Sequence, residues 1–149
     1  MIIRRITDIE LIKKFWSDVD YSNTSQKQWD AILETMVFLL VSTVDDKDEF
    51  EHIGLFVFRP LSPIIFEGHM VVDPKYRGED AVSAGKAIIA WLRSQSKCEL
   101  VIGFTPATNI SALKYIKKLG FKTLETLPRS IYEDGVLIDQ VVSTLRVRE

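Results

Sequence analysis

The stretch 64–105 constrains the fold more than any other part of the chain. An apolar run, IIFEGHMVVDP, enters a polar turn, and a second apolar run, CELVIGFT, begins at Cys98. Between them Ala84, Ala87, Ile88, Trp91 and Leu92 recur at helical spacing, which predicts a helix over 82–96. A strand, helix and strand in so short a span make the two strands parallel neighbours joined by a right-handed crossover. CELVIGFT has the continuous apolar character of a strand buried on both faces.

The flanking sequence extends this unit into a mixed sheet. IIRRIT reads as a first strand, and Ile9, Ile12, Phe15, Trp16 and Val19 follow at helical spacing behind Asp8 as cap. Ser25 and Gln28 form a capping box for a second helix through Trp29, Ile32, Leu33 and Met36. MVFLLVSTV and HIGLFVFRP make a hairpin, and Gly54 within the second strand marks a bulge. NISALKYIKKLG is a helix from Asn109 to a stop at Gly120. FKTLETL and LIDQVVSTLRV are closing strands about the turn signal Asp134-Gly135. The expectation is one α/β (α+β) domain over 1–149, with helices on both faces of the sheet.

Composition narrows the function classes. The 149 residues are 46% hydrophobic and 27% charged, with a net charge of -2, which excludes binding of nucleic acid through bulk basicity. One cysteine, Cys98, excludes an internal disulfide and reads as a small hydrophobe; His52 and His69 show no metal-ligand spacing, so no metal is expected. The longest apolar run, MVFLLV, is too short to span a bilayer. A cytoplasmic location, of a cell or an infected host, is expected, and the last strand could pair two copies through its edge as a homodimer.

The turn itself carries the chemistry. A helix N-terminus offers unpaired N–H groups and a partial positive charge to an anion. Arg77 adds a charge-assisted donor and Gly78 a flexible position. Val72, Pro74, Arg77 and Gly78, with Ser83 and Ala84 after them, resemble the acetyl-coenzyme A signature of the GNAT N-acetyltransferase superfamily, Val-x-Pro-x-x-Arg-Gly-x-Gly-x-Gly/Ala. Asn109, Ala112, Gly120 and Phe121 are similar to that family's Asn-x-x-Ala…Gly-Phe helix, and LPRSIYEDGVLIDQVVSTLRV to its last hairpin. The likeness runs along nearly the whole chain, least in the first 60 residues. Asp80 and Val82 depart from the pattern, which has small residues there.

The resemblance implies a three-layer GNAT fold with a mixed, mostly antiparallel sheet. It implies acetyl-coenzyme A as cofactor, its thioester lying between splayed neighbouring strands. Val71, Val72, Arg77, Gly78, Glu79, Asp80, Ala81, Val82 and Ser83 would form its cradle. Asn109 would bond to the pantetheine arm or a loop, although as a helix cap it needs no ligand. The acceptor would be a small-molecule or peptide amine. Glu67 and His69 share a strand face and are the candidate catalytic residues; the alternative is a solvent-facing polar pair. The family's tyrosine acid falls on Ile116, and the adjacent Tyr115 points about 100° away around the helix, as a packing residue would. Asp80 either repels a diphosphate or charges a helix end that has lost its ligand. A second function class therefore stands beside the enzyme: a non-catalytic GNAT-fold assembly protein, such as a bacteriophage head-assembly or internal virion protein.

Overall fold

The computed structural model describes residues 1–16, 23–44 and 47–148. Among these, seven strands form one sheet in the order β1-β2-β3-β4-β5-β7-β6. They are β1 (Ile2–Arg5), β2 (Val37–Val44), β3 (Phe50–Pro60), β4 (Ile65–Val72), β5 (Leu100–Pro106), β6 (Lys122–Glu133) and β7 (Val136–Arg146). Every neighbouring pair is antiparallel except β4 and β5, which are parallel as the crossover requires.

Helix α1 (Ile9–Phe15) starts where Asp8 Oδ1 accepts from the N–H of Glu10 and Leu11. It stops at Trp16, one turn short of the expected Val19, which lies outside the described residues. Helix α2 (Gln26–Thr35) has the reciprocal Ser25–Gln28 capping box, and Met36 is its cap rather than its last turn. Both pack on one face of the sheet, where Ile12, Trp29, Phe38, Leu40, Leu55 and Val57 form a buried cluster. Helices α3 (Glu79–Gln95) and α4 (Ile110–Leu119) lie on the other face, where Ile88 and Leu92 of α3 pack with Leu39, Phe56, Phe58 and Phe66 of the sheet.

Four local expectations need correction. Helix α3 begins at Glu79, not at Val82, because Gly78 adopts φ 99°, ψ -133° and serves as its N-cap. β4 ends at Val72, and Asp73 caps a short 3-10 turn at Pro74–Tyr76. β5 is mostly half-buried, with Val101 its one fully buried residue, because it parts from β4 beyond Ile102. The final hairpin is longer than read, since β6 runs past Pro128 through bulges at 123–125 and 127–131. Asp134 and Gly135, at φ 50° and 79°, make the tight turn that the sequence signalled. Burial of Cys98 pushes its thiol up, in keeping with a packing role.

Candidate active site

The site begins with a ladder that stops early. β4 and β5 pair only from Ile65↔Leu100 to Glu67↔Ile102, yet β4 continues to Val72 and β5 to Pro106. Each strand is held on its outer side, β4 by β3 and β5 by β7, so the two diverge. A cavity of about 310 Å³ fills the gap. Strand alternation places His69 and Val71 toward the α1 face, with Trp16, and Gly68 and Met70 toward α3. The cavity lining draws on both sets, so it passes through the sheet from one face to the other.

On the α1 face, Glu67 is nearly buried between two partners. The Arg59 guanidinium donates to its Oε2, through Nε at 3.1 Å and through a closer Nη2. His69 Nε2 lies 2.9 Å from its Oε1. Burial works against ionisation of Glu67, but the hydrogen bonds from Arg59 and His69 outweigh it and hold the carboxyl below its ordinary value. An ionised Glu67 can only accept, so Nε2 carries a proton and the lone pair of a neutral His69 ring sits on Nδ1. The Trp16 ring lies 6.4 Å from that of His69 and walls the same opening.

A carboxyl whose pKa falls on folding adds stability above its unfolded pKa, and loses it as pH drops through the folded one. The advantage of the wild type over Glu67→Gln should therefore shrink as pH falls below about 5. Urea melts of both proteins across that range check this; a constant difference down to acid pH would mean that the ion pair is not formed.

At the other end of β4, residues 77–80 are exposed and open, and Asp80 is not tucked into the interior. Val82 N–H donates to Gly78 O, and no described side chain caps α3, so the first-turn N–H groups face outward. An added Cβ at Gly78 would meet no described heavy atom within 4 Å. Ala81 is buried and its carbonyl accepts from the Tyr115 hydroxyl at 2.5 Å, which anchors this turn to α4. Burial, partly offset by a backbone hydrogen bond with Gly85, pushes the Tyr115 phenol up to about 12. Ile116 is buried beside the cavity.

Of the residues singled out from sequence, His69, Val71 and Asn109 line the cavity. Glu67 stands behind His69, and 77–83 form a rim one helical turn above Gly85, which is in the lining. Val72 packs on the α3-side core and borders a separate hollow of about 420 Å³, with Lys14, Glu51 and Lys75. Asn109 Oδ1 caps α4 by accepting from Ala112 N–H at 3.2 Å, which leaves its NH2 group for a second partner. Gly85, Gly103 and Tyr115 also line the cavity and were missed as site residues. Glycines inside a helix and a strand were the available signal, since both imply close approach or open space.

This three-layer sheet, split between its one parallel pair, is the fold of the GNAT N-acetyltransferases. The chain superposes on a chimera of the Vibrio cholerae spermidine N-acetyltransferase SpeG with hSSAT at a TM-score of 0.80 and 12% identity, covering 99% of this chain and 97% of that one. The V. cholerae spermidine N-acetyltransferase in complex with CoA and spermine gives a TM-score of 0.71 at 12% identity, over 97% and 94%. The protein smu.2055 from Streptococcus mutans UA159 gives 0.71 at 21%, over 99% and 100%. No curated protein matches the sequence. The chain belongs to the family described as protein of unknown function (DUF2824), whose profile matches residues 6–145.

Proposed function

We propose that the chain is an acetyl-coenzyme A-dependent N-acetyltransferase acting on a small-molecule or peptide amine. The cavity through the sheet carries this reading, because it lies between an exposed helix N-terminus that no described side chain caps, near its lining residue Gly85, and a histidine-carboxylate pair. The V. cholerae structure that holds CoA and spermine supports the pairing of this fold with a coenzyme and an amine.

When bound, the coenzyme supplies an activated thioester carbonyl. Arg77 and the N–H groups of Glu79, Asp80 and Ala81 hold its diphosphate, and Val71 and Asn109 hold the arm. His69 Nδ1 takes a proton from the attacking amine, and Glu67 fixes the ring and offsets its developing charge. The C–N bond forms as the C–S bond breaks, with the electron pair going to sulfur and a proton reaching sulfur from solvent. Holding both reactants in one slot supplies much of the rate.

A thermal shift with acetyl-coenzyme A tests the reading. A ligand at a hundred times its Kd adds about 2.7 kcal/mol to the folded state. No rise in Tm at millimolar coenzyme would overturn the proposal. Asp80 opposes diphosphate binding from an exposed first-turn position, so Asp80→Asn should tighten binding roughly two- to five-fold at low salt. The gain should fade as salt rises. Tyr115→Phe should cost about 1 kcal/mol of stability. It should lower kcat by far less than the roughly 10²-fold expected of a proton donor, because that hydroxyl already serves Ala81.

One set of observations favours a second reading. Ile116 occupies the family's acid position, the Tyr115 proton is committed, and Asp80 stands at the helix entrance. These suit a non-catalytic GNAT-fold assembly protein, such as a phage head-assembly or internal virion protein. Coenzyme binding without acetyl transfer to any amine in a panel of polyamines, amino acids and peptides would select it.

A further inference from the structure

We infer that the acceptor is a short peptide, with its N-terminal amine at His69 and its C-terminal carboxylate at His52 and Lys14 in the second hollow; this rests on the acyltransferase reading above. The cavity of about 310 Å³ must take the coenzyme arm and the reacting amine, so the remainder of an acceptor lies outside it. Val71 marks the way out, since it lines both that cavity and the hollow of about 420 Å³. Two consecutive aromatic residues at the end of α1 stand beside this path. The Trp16 ring lies 6.4 Å from that of His69, and the Phe15 ring lies edge-on to that of His52 at 5.9 Å. Both histidines are on the α1 face: His52 pairs with Ser42, and His69 pairs with Val57, which pairs with Phe38. Ser42 and Phe38 are four residues apart along β2, so roughly 13 Å of strand separates the two histidines.

The two ends differ in charge. At His69 the partner is the Glu67 carboxylate, which suits an amine. At His52 the partner is a hydroxyl: Ser42, 1% exposed, lies 3.0 Å from Nδ1 through its Oγ. With Ser42 donating to Nδ1, a neutral ring carries its proton on Nε2, which has no partner among the described residues. Burial, then the positive charges of Arg4 and Lys14, hold His52 below its ordinary value, so the ring is neutral near pH 7 in basic surroundings. Lys14 makes no ion pair among the described residues. Lys75 is different, since its Nζ donates to Glu51 at 3.2 Å. Glu51 also accepts from the Tyr76 hydroxyl, and Asp73 Oδ1 accepts from Lys75 N–H at 2.9 Å, so both carboxylates of the hollow are engaged. The donors left open, Nε2 of His52 and Nζ of Lys14, suit a carboxylate. An extended chain advances about 3.3 Å per residue, so a peptide of roughly four residues spans the distance. A free α-amino acid is too short, and a polyamine would set an ammonium beside Lys14.

The test is steady-state acetyl transfer by the full chain from acetyl-coenzyme A to tetra-alanine, its C-terminal amide, alanine and spermidine. kcat/KM for tetra-alanine should exceed that for the amide by roughly ten-fold, the worth of a charge-assisted hydrogen bond, and the difference should lie in KM. Alanine and spermidine should fall below tetra-alanine by at least as much. Lys14→Glu, at an exposed position, should bring the acid-to-amide ratio close to one. A wild-type ratio within two-fold, or one that Lys14→Glu leaves unchanged, overturns this inference, while transfer itself sustains the acyltransferase reading. A higher kcat/KM for spermidine or alanine than for tetra-alanine overturns it as well. No transfer to any amine, with coenzyme bound, overturns the acyltransferase reading itself.

Discussion

Replacing Gly54 with valine should lower the melting temperature by about 6–12 °C, a loss of roughly 3 kcal/mol. Gly54 sits in β3 beside a register shift against β2, where Val41 pairs with Gly54 and Ser42 with His52. A Cβ there would lie 2.7 Å from the Val71 carbonyl oxygen and 3.3 Å from the Val72 Cα. Both obstacles are main chain, so no rotamer change relieves them, and β4 must move away. β4 is one wall of the cavity, so coenzyme binding should fall with stability. Gly103→Val is the control. It makes the same chemical change in a neighbouring part of the sheet, where the space is open, and should leave Tm nearly unchanged. Equal melting temperatures for Gly54→Val and wild type would show that β4 yields without cost, and would remove the steric account of this glycine.

The largest effect on activity is expected at His69. His69→Gln should lower kcat by about 10²- to 10⁴-fold on the first amine found to be a substrate, the range for loss of a general base. Glutamine still reaches Glu67 with an N–H but has no basic lone pair to take a proton. Coenzyme binding measured by titration should stay close to wild type, which separates a chemical defect from a folding one. Loss of Glu67 should act through His69, with a smaller drop, because the ring would keep its base and lose its orientation. A His69→Gln enzyme within ten-fold of wild type would mean that the pair is a polar surface feature and that the amine loses its proton elsewhere.

The sequence disclosed what depends on neighbours along the chain. The caps at Asp8 and Ser25, the left-handed stop at Gly120 and the Asp134-Gly135 turn are local chemistry, and each stands where it was read. The parallel pairing of β4 and β5 followed from connectivity alone. The apolar stripe begins inside α3 and so points to a start at Val82, three residues late; Glu79 and Asp80 in the first turn are the stronger boundary signal. FKTLETL stops short of Pro128, yet β6 runs through that proline, because β6 is the sheet's edge and bulges there. In the site, His69, Val71 and Asn109 were legible because a motif or a strand face marked them. Gly85 was not, since its reason lies in another helix: a Cβ on it would press Leu119 at 2.6 Å and the Tyr115 hydroxyl at 2.7 Å. The partial burial of β5 is hidden from the sequence for the same reason, as nothing along that strand says where its partner leaves it.

The early end of the β4–β5 ladder leaves the main-chain groups of 68–72 and 103–106 that face the gap without a described strand to answer them, while their outer sides stay paired with β3 and β7. A ligand whose amides are spaced like those of a peptide can supply the missing rungs and lie in the sheet as a guest strand. Recognition of that kind is written in backbone atoms, which every residue type shares.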